Sequence, residues 1–255
     1  MAKRNRQQRE DYEMKSEIEI YEAEKSRNKE QIDNVIKNFK FKPFKPSMAQ
    51  KTLFNKIKEN EINFVSGPAG TGKTMATLKI ALELLAQDNC YEKILITKPI
   101  IEAVEEMGFL PGGIDSKTDP YIHSFQSNLC KLIDGAVVKK LFDSGVIKFV
   151  PTSFMRGETF SNAIAILDEA QNTTFLGLKL FLTRKAETSK LIIMGDTDQS
   201  DLNLRNSEIM ALEDAFTRFK GIKGISFMEF KIKDMMRSKI LVEILGRYEK
   251  KTFSN

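Results

Sequence analysis

Short apolar runs alternate with stretches of helical periodicity from residue 48 onward. The runs are apolar on both faces, which is typical of strands in a parallel sheet that helices cover on both sides. Between them, stretches such as Lys73–Gln87 carry apolar residues at helical spacing. The pattern predicts an α/β domain with a mostly parallel sheet flanked by helices. The predicted strands lie within 61–66, 93–97, 146–153, 162–168, 190–196 and 224–230.

The first 46 residues follow a different pattern, because Lys, Arg, Glu and Gln dominate and apolar residues are few before Ile32. Four apolar residues at i, i+3, i+4 and i+7, from Ile32 to Phe39, form one helix face and predict a helix within 18–39. The stretch "FKPFKP" (41–46) is predicted to be extended, since proline disfavours helix in the residue before it. The predicted organisation is a charged arm and linker, 1–46, followed by one domain, 47–255.

The length and composition of the chain limit the number of domains, and its net charge is mildly positive. The chain has 255 residues, of which 41% are hydrophobic, and this suits one α/β domain with an extension. A net charge of +5 permits a polyanionic partner without demanding one. The first nine residues contain four basic side chains and no acid. The arm is therefore either a solvated tail or a contact for nucleic acid or a neighbouring subunit.

The cysteines and the apolar runs exclude several classes of protein. Cys90 and Cys130 lie far apart and outside any CxxC spacing, so we expect two reduced thiols. With His123 as the only histidine, a zinc site is not expected. No run approaches the 18 apolar residues of a membrane span, and the basic start has no apolar segment behind it. We expect a soluble, cytoplasmic protein without a membrane partner.

The segment "SGPAGTGKT" (66–74) matches G-x-x-x-x-G-K-[ST], between a predicted strand and a predicted helix. Glycines allow backbone N–H groups to approach phosphate oxygens, Lys73 would reach the β- and γ-phosphates, and the Thr74 hydroxyl would ligate Mg²⁺. A glycine-rich turn with a surface lysine is the alternative, which the strand–loop–helix context disfavours. The predicted nucleotide-binding residues of this Walker A loop are Gly67, Pro68, Ala69, Gly70, Thr71, Gly72, Lys73 and Thr74.

Two acids end the strand "AIAIL" in the segment "ILDEAQNTT" (166–174). In P-loop proteins an acid at the end of a neighbouring strand helps to hold the metal, and Asp168 suits that Walker B role. Glu169, the next residue, would polarise a water molecule for attack on the γ-phosphate. Together the two acids indicate hydrolysis rather than binding alone. The alternative is that both acids cap the next helix at its N-terminus.

A further strand ends in "MGDTDQSDL" (194–202), whose polar residues would lie beside the two nucleotide motifs. Gln199 is the predicted sensor of the γ-phosphate. The alternative is an ordinary left-handed turn built from Gly195 and Asp196.

These motifs occur together with several uncommon strings in a fixed order. The chain resembles the PhoH-like family of P-loop ATPases, found in bacteria and bacteriophages, from about Gln50 to Tyr248. The family core in turn resembles the first RecA-like domain of superfamily 1 helicases. The strings are "GPAGTGKT", "GFLPG", "DPY", "MRG", "ILDEAQNTT", "FLTR" and "GDTDQSDL".

The resemblance implies further site residues and partners. Gln50 resembles the glutamine that reads adenine, which implies ATP as the nucleotide. Gln171 resembles the residue that couples nucleotide to a bound strand, and "TKP" (97–99) resembles a nucleic-acid contact. Arg184 and Arg237 are candidates to contact the γ-phosphate, in cis or from a neighbouring subunit. The family's ring-shaped assemblies and RNA unwinding imply a homo-oligomer, with a hexamer favoured.

Three functions are compatible with this sequence. The first is an oligomeric, helicase-like ATPase that acts on RNA or single-stranded DNA. The second is an ATP-dependent switch or scaffold with a protein partner, and the third is a small-molecule kinase. The "DEAQ" string favours the first function over the second, and no arginine-rich lid supports the third.

Overall fold

The computed structural model describes two compact units, Met1–Lys40 and Phe41–Asn255. In the smaller unit, residues 27–38 form helix α1, with Ile36 buried, which confirms the predicted helix over the part described. For 114–121 the description is of the backbone alone. The described residues are 27–88, 90–99, 114–152, 155, 157–196, 211–236, 240, 243–244 and 247.

One sheet of six parallel strands forms the centre of the larger unit. This confirms the predicted α/β class and every predicted strand, and the sheet is parallel throughout. The four inner strands are almost wholly buried, as their continuous apolar runs predict. The strands are β1 Ile62–Ser66, β2 Lys93–Thr97, β3 Ile147–Phe149, β4 Ala163–Leu167, β5 Lys190–Met194 and β6 Ile225–Glu229.

Helices surround this sheet. The predicted helix after the phosphate loop is confirmed with its predicted bounds, whereas the four described α-helices that follow it are not individually predicted from the sequence. None of the helices described is long and apolar enough to cross a membrane. The helices of this unit are α2 Met48–Glu59, α3 Lys73–Gln87, α4 Ile114–Leu132, α5 Gly135–Asp143, α6 Phe175–Leu182 and α7 Ala211–Arg218, with 3₁₀ turns at Ala170–Asn172 and Ile232–Asp234.

The strand order is β3-β2-β4-β5-β1-β6, which places β5 between the phosphate-loop strand β1 and the acid strand β4. The acid strand is therefore one position farther from β1 than the predicted neighbouring position. An interposed strand of this kind is the RecA-like arrangement. Because all six strands run parallel, their carboxyl ends share one edge of the sheet, where ligands bind in open α/β folds.

Helix α2 is fixed at both ends. At its start, Ser47 and Gln50 form a capping box, in which the Ser47 N–H donates to Gln50 Oε1 at 3.0 Å. At its end, the buried Lys190 of β5 donates from Nζ to the carbonyl oxygens of Ile57 at 2.5 Å and Asn60 at 2.6 Å. A cation at these last carbonyls also complements the helix dipole. The helix therefore holds Gln50 in a fixed place.

The predicted linker, 41–46, forms no helix or strand, and it lies within the larger unit and contacts other residues of that unit. The Lys42 backbone N–H donates to the Leu132 carbonyl at 2.7 Å, and Lys42 Nζ donates to the Cys130 carbonyl at 2.7 Å. The Phe41 ring lies 3.6 Å below Lys79 Nζ. The two units divide between Lys40 and Phe41, and the predicted domain boundary after residue 46 stays a prediction.

Candidate active site

The loop between β1 and α3 has a backbone that depends on glycine. Gly67, Gly70 and Gly72 have φ angles of +135°, +85° and +80°, in the region that favours glycine. A Cβ at Gly67 would also lie 2.4 Å from the Phe230 carbonyl oxygen. The glycines of the motif are therefore required by conformation and by close packing.

The loop presents its N–H groups to anionic oxygen. The Ala69 N–H donates to Asp196 Oδ2 at 3.2 Å, so a carboxylate oxygen already accepts from one loop amide. The Thr71 hydroxyl donates to the Pro68 carbonyl at 2.9 Å and braces the turn. The N-terminus of α3 adds a dipole that favours negative charge. This arrangement suits phosphate oxygens.

Lys73 is the first residue of α3, and its ammonium group is turned into the loop. Its Nζ donates to the carbonyl oxygens of Gly67 and Pro68. Burial lowers the pKa of Lys73, while the nearby Asp196 and Asp168 carboxylates act in the opposite direction. The ammonium is thus held between the loop and the acids.

Asp168 and Glu169 follow β4 and lie at this same edge. The Asp168 N–H donates to the Thr97 carbonyl at 2.9 Å, which ties the acid to the end of β2. Burial raises the pKa of Asp168 to about 6, and the neighbouring Glu169 contributes to the rise. The Glu169 backbone adopts a left-handed conformation, with φ 54° and ψ 42°. Such a backbone costs about 1–3 kcal/mol in a residue other than glycine.

The alternative role as a helix cap is wrong for Glu169. The Glu169 side chain makes no capping hydrogen bond to the 3₁₀ turn that follows it. Helix α6 is capped instead by Thr174, whose hydroxyl accepts from the Gly177 N–H at 3.1 Å. The acids remain available for other chemistry.

Gln171 connects the ends of β4 and β5. Its Nε2 donates to Glu169 Oε2 at 2.7 Å, and its Oε1 accepts from the Asp196 N–H at 3.0 Å. Gly195 allows this approach, since a Cβ there would lie 2.7 Å from Gln171 Oε1. Neither Gly195 nor Asp196 has a positive φ, so the alternative of a left-handed turn at these residues is wrong.

A polar chain consequently crosses four adjacent strands. From the loop after β1 it passes through Asp196, Gln171 and Glu169, and the Glu169 Oε1 atom lies 3.6 Å from Lys98 Nζ after β2. Sequence patterns predict each of these residues at a strand end, but they give no signal for the contacts that join them.

A cavity of about 250 Å³ lies between the loop and the acids. The Thr74 hydroxyl and the Asp168 carboxylate supply the hard oxygen ligands that Mg²⁺ prefers, and Mg²⁺ commonly takes its other ligands from phosphates and water. No cluster of three metal-ligating side chains occurs in the described ranges. The residues present therefore fit Mg²⁺ with a nucleotide. The lining residues are Ala69, Gly70, Gly72, Lys73, Thr74, Met75, Asp168, Glu169, Gly195 and Asp196.

Gln50 lies beside the loop, as its predicted role requires, but its amide is already engaged. A Cβ at Gly72 would come within 2.6 Å of Gln50 Nε2. That nitrogen donates to Met236 Sδ at 3.3 Å, and the Met236 N–H donates to the Gly70 carbonyl at 3.1 Å. The segment after β6 thus packs on the loop, a contact for which the sequence carries no signal.

Arg184 lies away from this cavity. The Phe160 N–H, before β4, donates to the Arg184 carbonyl at 2.8 Å, which places Arg184 at the amino-terminal edge of the sheet. Strands of five residues separate the two edges by about 16 Å. Gln199 and Arg237 lie outside the described residues, and their roles stay predictions.

A family model with the description PhoH-like protein matches residues 44–249. The chain belongs to the PhoH-like family. It is 37% identical over 237 residues to a PhoH-like protein of Bacillus subtilis, covering 92% of this chain and 72% of that protein. It is 34% identical over 202 residues to the protein PhoH of Escherichia coli, covering 78% and 56%. It therefore spans little more than half of some curated PhoH-like relatives.

Solved structures with a similar arrangement of helices and strands have low sequence identity. The UvsW helicase of bacteriophage T4 has a TM-score of 0.46 and 14% identity, covering 74% of this PhoH-like chain and 61% of that protein. The large terminase of a thermophilic bacteriophage has a TM-score of 0.46 and 13% identity, covering 81% and 50%.

The raised pKa of Asp168 leads to a stability prediction. In the unfolded chain this acid titrates near 3.8, whereas in the folded protein its pKa is about 6. The folded state therefore holds the proton more tightly, and the free energy of unfolding falls as the pH rises from about 4 to about 6. Asp168→Asn should stabilise the protein by about 1–3 kcal/mol above pH 7 and by nothing below about pH 4.

Urea unfolding of the parent and of Asp168→Asn, without Mg²⁺ and at about pH 4 and pH 8, measures this difference. Asp143→Asn, on the exposed surface of α5, is the control and should give no gain at the higher pH. An equal effect of Asp168→Asn at both pH values would contradict the prediction.

Proposed function

We propose that this PhoH-like chain hydrolyses ATP with Mg²⁺, and that it does so as a homo-oligomeric ring coupled to RNA or single-stranded DNA. The observation that carries the ATPase is the cavity in which Lys73, Asp168 and Glu169 meet. One cation and two acids at the mouth of a phosphate loop are the groups that phosphoryl transfer to water needs.

The loop and its lysine would bind the triphosphate. Backbone N–H groups of 67–74 hold phosphate oxygens, and Lys73 exchanges its loop carbonyls for the β- and γ-phosphates. Thr74 and Asp168 hold Mg²⁺, which neutralises charge on the phosphates when bound. In this form Asp168 is a carboxylate, since a protonated acid is a poor metal ligand.

Glu169 would act as the base. As a water oxygen forms its bond to the γ-phosphorus, the bond to the β–γ bridging oxygen breaks, and Glu169 accepts the water proton. ADP and phosphate leave. Gln171 orients this carboxylate through Glu169 Oε2, so that the base is held by a neutral amide.

The position of Gln50 supports adenine as the nucleobase that the site recognises. Among the described residues, Gln50 Nε2 donates to the weak sulfur acceptor of Met236, which a nitrogen acceptor of adenine would replace with a stronger hydrogen bond. The bond from Ser47 to Oε1 keeps the amide plane fixed.

Two substitutions test the ATPase. Glu169→Gln should retain ATP binding and lose turnover, since the amide preserves shape but accepts no proton.

Lys73→Ala should lose turnover with an intact fold, because the lysine contacts charge that grows in the transition state. Phosphate release and binding of a fluorescent ATP analogue measure both effects. Each 1.4 kcal/mol of lost transition-state stabilisation lowers the rate about tenfold. A turnover of Lys73→Ala within about threefold of the parent would therefore contradict the assignment of this site.

Coupling to a polynucleotide is supported by the polar chain that reaches Lys98 in "TKP" and by the basic arm. Single-stranded RNA should stimulate turnover and bind with an affinity that falls steeply with salt, because cations release counterions from the phosphate backbone. Removal of residues 1–9 should flatten that salt dependence. Measurements of rate and affinity between about 50 and 200 mM salt check this. Turnover that ignores both RNA and single-stranded DNA would favour the switch with a protein partner.

A ring is supported by the position of Arg184, at the edge of the sheet opposite its own phosphate loop. An arginine that contacts the γ-phosphate is worth about 10³–10⁵ in rate, and a heterologous ring interface would supply it from the next subunit. Mixing Lys73→Ala with Arg237→Ala should restore part of the activity after subunit exchange, since some interfaces pair an intact loop with an intact arginine. The same mixture with Arg184→Ala separates the two candidates. No recovery in either mixture, with exchange verified, would exclude both Arg184 and Arg237 as arginines that act in trans.

A further inference from the structure

The carboxylate of Glu169 is held from two sides. Gln171 Nε2 donates to Oε2 at 2.7 Å, and Lys98 Nζ lies 3.6 Å from Oε1. A base must direct an oxygen lone pair at the water whose proton it takes. The Lys98 ammonium, at 3.6 Å, can compete with that water for Oε1. The two contacts therefore differ in effect. The hydrogen bond from Gln171 orients the carboxylate, whereas the ion pair with Lys98 occupies the oxygen that would accept the proton.

The Lys98–Glu169 pair is of the kind that exchanges readily. The side chains are 25% and 40% exposed, so water already reaches both partners. Ion pairs with this access to solvent contribute little net stability, and another anion can replace the carboxylate. A phosphodiester is such an anion, and lysine binds phosphate as a mobile point charge.

The backbone under this pair is fixed, so that the ammonium end of Lys98 can move while the backbone at the end of β2 stays in place. Thr97 is paired in register with Leu167, and its carbonyl accepts from the Asp168 N–H at 2.9 Å. The lysine stem thus begins at a rigid point beside the acids. A change in the position of its ammonium acts on Glu169 Oε1 by contact and on the Asp168 carboxylate through their charge interaction, while the Asp168 backbone stays held.

We propose that Lys98 is a positioning residue that restrains Glu169, and that the phosphates of a single-stranded polynucleotide draw Lys98 away and free Glu169 for hydrolysis. The inference rests on the proposed ATPase and names how a polynucleotide would act on its base. One side chain then serves both as the restraint and as the phosphate contact.

The test compares the parent with Lys98→Ala, Lys98→Arg and Lys139→Ala. Lys139 forms an ion pair with Asp143 on the exposed surface of α5, so its loss is a matched control for removing a lysine from a pair. Steady-state turnover is measured alone, with poly(U), with oligo(dT), and with polyglutamate as a polyanion without phosphates. Binding of a fluorescent ATP analogue shows that each variant retains its nucleotide site.

Lys98→Ala should raise the turnover without polynucleotide by about two- to fivefold, which is the range set by an exposed ion pair. Its turnover should no longer respond to poly(U) or oligo(dT). Lys98→Arg keeps the positive charge and should have a basal turnover below that of Lys98→Ala, whereas Lys139→Ala should behave as the parent. In the parent, polyglutamate should stimulate less than either polynucleotide.

Other results overturn the inference in different ways. A fall in basal turnover of Lys98→Ala with ATP still bound would make Lys98 a catalytic contact to the nucleotide. Unchanged turnover and unchanged stimulation would give it no role, and equal stimulation by polyglutamate would remove the phosphate contact. Absence of turnover in the parent would overturn the proposed ATPase, whereas the preceding results leave that ATPase intact.

Discussion

The amide of Gln171 is the contact on which the arrangement of the site depends. It donates to Glu169 and accepts from the Asp196 backbone, and so joins the ends of β4 and β5. Asp196 in turn accepts from the Ala69 N–H in the phosphate loop. A buried amide with both ends bonded has a fixed orientation, since freeing either end leaves an unsatisfied polar group that costs about 1–3 kcal/mol. Glu169 and the phosphate loop are therefore positioned relative to one another through this side chain.

The strand order explains why such a bridge is needed. With β5 between β1 and β4, the acids and the loop are separated by one strand, or about 10 Å across the sheet. The polar residues at the end of β5 fill that distance. Gly195 contributes by having no side chain, because Gln171 occupies the space that a Cβ would take. The interposed strand thus separates the two motifs and also carries the groups that connect them.

Much of this architecture follows from periodicity and from one motif. The bounds of Lys73–Gln87 were predictable because a strand, a glycine loop and an amphipathic stretch follow one another without interruption. The positions of Lys73 and Thr74 follow from the same pattern, and the position of Asp168 follows from the apolar run that forms β4. The contact of Lys98 with Glu169 could not be predicted, since sequence spacing gives the strand that a residue ends but not the direction of a long side chain. The left-handed backbone of Glu169 was equally unpredictable, because glutamate has no preference for that conformation.

The conformation of Glu169 has a consequence for how the site responds to its surroundings. A strained backbone persists only where neighbouring contacts hold it, and here they include Gln171, Lys98 and the hydrogen bond from the Glu169 N–H to Asp168 Oδ1 at 3.1 Å. Each neighbour connects Glu169 to a different part of the site. Gln171 leads to the end of β5, Lys98 lies at the end of β2, and Asp168 is the predicted metal ligand. A change at any one of them alters the balance that keeps this residue in place. Glu169, the proposed base, is therefore in contact with residues that lead to the phosphate loop on one side and to the end of β2 on the other.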